Sequence, residues 1–219
     1  MTTPTVTRTA FLAGLAGFGA IAVAMPASAA RDAAAETYVQ QNASEAFRIL
    51  GDRNVTPEQR QQTFNTLIRQ FSDMDYIAVW VVGRYSVQLR ADPTLRQQWI
   101  DAFKNFAVAT YEDQLGAYNG AAVHVTGSNL HANDIVVSTD ITPHGQRAQQ
   151  VQWRLRRSGN VWRVLDISLT FEGGNQLWAA QQQQLDFLAF LDAHHGDIRA
   201  LITHINQVTE TLRRHNSSR

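Results

Sequence analysis

Hydrophobic residues recur at helical spacing in the first half of the chain. Segments 33–50, 56–71 and 93–118 place apolar side chains three or four positions apart, which predicts amphipathic helices. The second segment opens with Thr56-Pro57-Glu58-Gln59, a capping box with proline at the first helical position. We therefore expect the N-terminal half of the domain to be helical.

An apolar run at residues 75–85 lies between the second and the last of these segments and ends in Gly83-Arg84-Tyr85. Ser72-Asp73 precedes the run as a cap, so we expect a third helix to carry it. Only 17% of the residues in the chain are charged, so something apolar has to cover the run. The pattern leaves two alternatives open, the protein's own core or an apolar ligand.

Between residues 121 and 171 apolar and polar residues alternate, which is the pattern of half-buried strands. Four such stretches follow one another through short turns, and this predicts an antiparallel meander with one apolar face. Helical spacing returns after Gly173-Gly174 and is interrupted near His194-His195-Gly196. The predicted fold class is α+β, with helices packed on a curved four-stranded antiparallel sheet.

The N-terminus has the pattern of a cleaved export signal. Arg8 precedes an apolar stretch at 10–25, and Ala27-Ser28-Ala29 is a small-residue cleavage pattern. An uncleaved N-terminal anchor is the alternative. We expect a signal peptide at 1–29, one domain at 30–212 and a polar tail at 213–219.

Composition and missing motifs exclude several classes of function. The chain has 19 Lys and Arg against 19 Asp and Glu, so it has no long-range attraction for nucleic acid. It has no cysteine, which excludes disulfides and thiol catalysis. A Gly-x-Ser-x-Gly elbow, a phosphate-binding loop and a His-Glu-x-x-His motif are missing from the sequence. The sequence predicts no catalytic residue, no metal and no cofactor.

Some polar residues have a structural and a functional interpretation. Asp73 and Asp75 are either helix-start carboxylates or an acid–base pair. Arg84 either pairs with a carboxylate or lies near the anionic headgroup of a ligand. A basic triplet on the third strand is either a solvated face or a docking surface for a partner protein: Arg154, Arg156 and Arg157. His194-His195 is either solvated near a helix end or a metal ligand.

Several motifs, in this order and spacing, resemble the MlaC-like family of periplasmic phospholipid-binding proteins, which are also called toluene-tolerance auxiliary components of an ABC transport system. The motifs are Phe71-Ser72-Asp73, Val82-Gly83-Arg84-Tyr85, the helix at 96–106 with Thr110-Tyr111, and the hairpin of 151–155 and 159–167. The chain departs from the family's pattern at Ser86, where many members have Trp, and at 174–181, which lacks the usual Tyr-Arg. A hopanoid-associated branch of the family remains an alternative.

The resemblance implies helices wrapped on a sheet resembling that of nuclear transport factor 2, with acyl chains in an interior pocket. It implies a periplasmic carrier, not an enzyme, that shuttles lipid between the outer membrane and an inner-membrane ABC transporter and so maintains outer-membrane lipid asymmetry. Its expected partners are the transporter's lipid-binding complex and an outer-membrane lipoprotein assembly. The expected lipid-binding residues are Val81, Val82, Arg84, Tyr85, Phe103, Phe106, Tyr111, Val137, Trp153, Leu155 and Ile167.

Two other classes of function stay open at this point. A periplasmic hydrolase or isomerase on the same kind of sheet would need a polar pair inside the pocket, and Asp166 with His124 is the candidate. A chaperone or scaffold without a small ligand is the other alternative. Each buried CH₂ contributes roughly 0.8 kcal/mol to binding, so a dry apolar pocket is sufficient to hold an acyl chain.

Overall fold

The computed structural model describes residues 31–52, 54–115, 120–170 and 176–217. The predicted signal peptide lies outside the described residues. In chain order the elements are helices α1 (Ala33–Gly51), α2 (Pro57–Phe71), α3 (Met74–Trp80), α4 (Ser86–Ala91) and α5 (Pro93–Leu115), strands β1 (Ala122–His131), β2 (Asp134–Thr142), β3 (Gln149–Ser158), β4 (Val161–Thr170) and β5 (Gln176–Trp178), and helices α6 (Ala179–Ala193) and α7 (Ile198–Ser217). The predicted α+β class is confirmed.

The sheet is an antiparallel meander in the order β1-β2-β3-β4-β5. The expectation of four strands was wrong by one, because Gln176–Trp178 pairs with the last described residues of β4. A strand of three residues is too short to show an alternating pattern, and in the sequence it follows two glycines and leads directly into a helix. The bulges at Val125/Gly127 and at Arg154/Leu155 bend the pairing, as bulges do.

The helix starts follow the sequence signals. The hydroxyl of Thr56 accepts a hydrogen bond from the backbone N–H of Gln59 at 3.2 Å, and the Gln59 side chain accepts one from the Thr56 N–H at 3.0 Å. This is the predicted capping box of α2. The carboxylate of Asp73 accepts a hydrogen bond from the Tyr76 N–H at 3.0 Å and so caps α3.

Helix α3 carries only the first part of the apolar run at 75–85. Helix α3 ends at Trp80, and a 3₁₀ turn at Gly83–Tyr85 leads into α4. Gly83 has a φ of +48°, in the left-handed region that side chains other than glycine disfavour. The chain therefore changes direction at the glycine, and Val81 and Val82 lie in the core at the turn.

One face of the sheet forms the floor of the core. The strand register places Val137 opposite Trp153 and Trp153 opposite Ile167, so the three side chains share a face. The Trp153 indole N–H donates to the Thr139 hydroxyl at 2.9 Å, and its ring meets the edge of Phe71 at 5.6 Å. Helices α1 and α2 cover this part of the face.

Helix α5 joins the sheet layer to the C-terminal helices. Trp99 of α5 packs edge-to-face on Phe187 of α6 at 5.5 Å, and its indole N–H donates to the Ala78 carbonyl at 2.7 Å. Helix α7 packs along α5 and continues through Ser217, so the first residues of the predicted polar tail are helical. Within the described ranges, none of the helices combines the length and apolar character needed to cross a bilayer.

Candidate functional site

An apolar cleft lies between the sheet and helices α5 and α6. Its floor is formed by Ile167 and Leu169 of β4 and Leu177 of β5. The walls come from α3, α5 and α6, with Ile77, Phe103, Phe106, Ala107, Thr110, Tyr111, Ala179, Ala180, Gln182, Gln183 and Asp186. The α5 residues recur three and four positions apart, so one face of a single helix forms this wall.

The cleft is small and has one polar side. Its volume is about 280 Å³, at the lower limit of ordinary ligand pockets. The polar lining residues are mainly from α6, where Gln182, Gln183 and Asp186 stand at the rim. Because most of the lining is aliphatic and aromatic, the arrangement suits a hydrocarbon chain.

Tyr111 lines the cleft, and Asp166 of β4 lies near enough for its charge to act on the Tyr111 hydroxyl. Burial raises the pKa of Tyr111 to about 12, and the negative charge of Asp166 adds to the shift. Burial also raises the pKa of the Asp166 carboxyl to about 6, against hydrogen bonds from backbone N–H groups and the positive charge of Arg154. Asp166 accepts from the Ala180 N–H at 2.8 Å, so it anchors the start of α6, which has no side-chain cap of its own.

A larger groove of about 480 Å³ lies elsewhere on the surface and has a different character. It is lined mostly by polar and charged residues: Arg69, Ser72, Asp73, Met74, Asp75, Lys104, Ser158, Val161 and Arg163. Lys104 pairs with Asp75 at 2.5 Å inside it. Volume alone would favour this groove, but its lining does not suit a lipid chain, so we take the apolar cleft as the candidate site.

The MlaC protein family matches residues 40–207, which is more than half of the chain. The chain belongs to the MlaC family. The resemblance seen in the sequence motifs is therefore confirmed. A comparison with curated proteins finds no match.

A solved structure similar to this MlaC-family chain is that of the phospholipid-binding protein from Ralstonia solanacearum, determined in complex with a phospholipid. The two chains are 23% identical and superpose with a TM-score of 0.66. The match covers 82% of this chain and 98% of the other. At this identity the likeness shows a shared fold.

In this MlaC-family chain the predicted lipid-binding residues fall into three places. Four line the cleft: Phe103, Phe106, Tyr111 and Ile167. Five are buried in the adjoining core without lining it: Val81, Val82, Val137, Trp153 and Leu155. The remaining two, Arg84 and Tyr85, belong to the 3₁₀ turn before α4 and contact Asp192 near the C-terminal end of α6. Lipid contact stays a prediction for each of them.

Arg84 and Tyr85 both bind Asp192 near the C-terminal end of α6. The Arg84 guanidinium forms an ion pair with the Asp192 carboxylate, and the Tyr85 hydroxyl donates to it at 2.6 Å. These hydrogen bonds, with the one from Tyr85 first, hold the pKa of Asp192 below its ordinary value. The carboxylate partner that the sequence left open for Arg84 is thus present, and the Arg84 side chain is 61% exposed.

The remaining polar candidates are also placed. His124 lies on β1 and Asp166 on β4, with two strands between them, so the structure does not bring this pair together. Asp73 caps a helix and Asp75 pairs with Lys104. Arg157 is stacked over Trp162, with 5.7 Å from its guanidinium carbon to the ring centre. In the part of the chain that the structure describes, no three His, Asp or Glu side chains group around a possible metal position.

Several cleft residues were not among those predicted from the sequence. Ala107 and Thr110 follow Phe103 at helical spacing, so the periodicity of α5 contained the signal for them. Leu177, Ala179 and Ala180 carry no such signal, because they lie where β5 turns into α6. A small residue in a helix is interpreted as an ordinary core residue until the structure shows that a cleft wall lies opposite it.

Proposed function

We propose that this protein is a periplasmic lipid carrier that holds the acyl chain of a phospholipid in the cleft between α5, α6 and the sheet. The observation that carries the proposal is a mostly apolar cleft in a chain of the MlaC family. The phospholipid bound to the structurally similar Ralstonia protein supports it. A binding role also explains why the chain lacks the common catalytic motifs.

The volume of the cleft limits how much of a lipid it can hold without a change in structure. A volume of about 280 Å³ is less than a whole two-chain phospholipid requires, so α6 and β5 have to move away from α5 when a complete lipid enters. Each methylene that enters contributes roughly 0.8 kcal/mol. A buried chain of about ten methylenes therefore offsets a modest cost of opening.

The carrier role in the cell follows from the same proposal. We propose that the protein is exported by its predicted signal peptide, is not an enzyme, and moves lipid between the outer membrane and an inner-membrane ABC transporter, which maintains outer-membrane lipid asymmetry. Its partners would be the transporter's lipid-binding complex and an outer-membrane lipoprotein assembly. The family membership supports this role.

The test is extraction and mass spectrometry of lipid that copurifies with the protein, compared with a variant whose cleft is filled. Thr110→Trp places an indole in the cleft, and Thr203→Trp is the matched control on the exposed side of α7. Both threonines donate their hydroxyl to the carbonyl four residues earlier, at 2.9 Å and 3.1 Å. We expect stoichiometric phospholipid with the wild type and with Thr203→Trp, and a loss of at least fivefold with Thr110→Trp. Wild-type protein free of lipid would refute the carrier function.

A further inference from the structure

A second, charged chamber adjoins the apolar cleft at the edge of β4. It has a volume of about 110 Å³ and shares Ile77 and Ala180 with the cleft lining. Its other lining residues are Tyr76, Trp80, Asp134, Arg154, Arg156, Leu165 and Asp166. Water occupies about 30 Å³ per molecule in the liquid, so the chamber has room for a small polar group such as a phosphate.

The chamber exists because β4, which pairs with β3 along one edge, lacks a strand partner over a short stretch of its other edge. Val164 bridges to Ser72 on one side of the gap, and β5 begins to pair only at Ser168. Within the gap the Asp166 carboxylate accepts the Ile167 N–H at 2.9 Å and the Ala180 N–H at 2.8 Å. Side chains from both sheet faces therefore meet around this edge.

The two arginine side chains of the chamber have different partners. Arg156 is paired with Asp134 through two hydrogen bonds, at 2.7 Å and 3.2 Å. Arg154 is stacked on Trp178, 4.5 Å from its guanidinium carbon to the ring centre. The contact holds the guanidinium against the indole ring by a cation–π attraction.

Two buried side-chain atoms among the described residues have no hydrogen-bond partner: the Nε of Arg154 and the hydroxyl oxygen of Ser168. Arg154 is opposite Asp166 in the register, and Ser168 is two residues further along β4, so both lie on the same sheet face. Buried polar atoms in native proteins are satisfied by protein, water or a bound ion. Of the two, only Arg154 lines the chamber, and an unpartnered cationic donor there points to an oxyanion.

We infer that Arg154 binds the phosphate of a lipid whose acyl chain occupies the adjoining cleft, so that the chamber and the cleft form one amphipathic site. This inference rests on the proposed carrier function and adds a selection for phosphate-bearing over uncharged lipids. Arginine is suited to the role because its planar donors match phosphate oxygens. The Asp166 carboxylate accepts hydrogen bonds from backbone N–H groups, and its negative charge also attracts the Arg154 guanidinium.

The test compares retention of two lipids with identical acyl chains. Lipid-free protein receives equal amounts of dioleoyl phosphatidylglycerol and dioleoylglycerol in detergent, and the retained lipid is measured by mass spectrometry. We expect the wild type to favour phosphatidylglycerol by roughly tenfold. Arg154→Gln should bring the ratio close to one while the total retained lipid stays the same. Arg154→Lys keeps the charge without Nε and should give an intermediate ratio.

Arg157→Gln is the matched control, because Arg157 is on the same strand, is also stacked on an aromatic ring, and lies outside the chamber. It should retain the wild-type ratio. Melting temperatures of all variants establish that they are folded. An Arg154→Gln protein with an unchanged ratio would overturn the phosphate site, as would a wild type that retains both lipids equally. If the wild type retains neither lipid, the proposed function fails and this inference fails with it.

Calorimetric titration of lipid-free protein with inorganic phosphate separates the two sources of the anion. Phosphate binding that disappears in Arg154→Gln, together with the phosphatidylglycerol preference, supports the lipid headgroup. Phosphate binding without any lipid preference assigns the chamber to a free anion and overturns the headgroup assignment.

Discussion

Trp153 and Ile167 face each other across β3 and β4 on the same side of the sheet, yet they have different surroundings. Trp153 is 7% exposed and is enclosed by Phe71 and Val137. Ile167 is half-buried and forms part of the cleft floor. Neighbouring positions with the same alternating pattern therefore belong to a closed core in one case and to an open site in the other.

The difference comes from what packs above each residue. Over Trp153, Phe71 brings a ring from α2, which itself stacks with Tyr38 of α1 at 5.4 Å. Around Ile167, the cleft walls combine the aromatic rings of α5 with small side chains, which are Ala107 on α5 and Ala179 and Ala180 at the start of α6. An aromatic side chain of α2 closes the first region, and the alanines in the walls of the second leave part of it unfilled.

The largest expected effect concerns stability on the closed side. Trp153→Ala should lower the free energy of unfolding by about 3–5 kcal/mol, because it leaves a cavity under Phe71. Urea unfolding followed by circular dichroism measures the loss. Trp153→Phe keeps the ring, loses the hydrogen bond to Thr139 and should cost about 1 kcal/mol. A loss below 1 kcal/mol for Trp153→Ala would show that this half is not closed.

The second effect is a pH dependence at Asp166, which holds the start of α6 over the cleft. Burial raises its pKa from the ordinary 3.8 to about 6. Between these values the unfolded chain has lost the proton and the folded one keeps it, so rising pH destabilises the fold. Relative to Asp166→Asn, the wild type should lose roughly 2–3 kcal/mol of unfolding free energy from about pH 4 to above pH 6.

Measuring the unfolding free energy of both proteins at each pH isolates this residue from the other carboxyl groups. Glu36, Glu45 and Asp192 have lowered pKa values and contribute the opposite slope in both proteins. Parallel profiles for wild type and Asp166→Asn would mean that Asp166 titrates normally.

A third prediction concerns the open side. Ile167→Ala should cost only about 1 kcal/mol of unfolding free energy, since part of the side chain already faces the cleft. The same substitution should reduce the lipid retained after delipidation and reloading by at least threefold, because it removes three methyl or methylene groups and the loss of one buried CH₂ contact alone costs roughly 0.8 kcal/mol. A stability loss as large as that of Trp153→Ala, with lipid retention intact, would make Ile167 a core residue.

The smallest stability effect is expected at the exposed part of the cleft floor. Leu177 and Leu130 are both exposed leucines, but only Leu177 lines the cleft. Leu177→Asp and Leu130→Asp should each change the unfolding free energy by about 0.5 kcal/mol or less. Only Leu177→Asp should impair lipid loading, measured by the rate of uptake of a fluorescent phospholipid. Equal uptake by both variants would show that Leu177 does not contact the lipid.

Much of the fold could be predicted because its signals are local. The Thr56 capping box, the helical spacing of α5 and the alternation of β3 and β4 each depend on residues close in the chain. Two features of the fold were not predicted, because neither has such a local signal. Strand β5 is too short for a period to appear, and the end of α3 depends on the left-handed conformation of Gly83.

The sequence by itself determined the α+β class, the order of the elements, the apolar faces and the family, since periodicity and motif order are written along the chain. It could not separate pocket from core, because a residue that points inward obeys the same pattern in both. Only the tertiary structure decided that, by placing the Phe71 ring of α2 over Trp153 and alanines from α5 and α6 near Ile167. Tertiary packing also placed Arg84 beside Asp192 and Arg154 at the chamber, because those contacts join segments far apart in the chain.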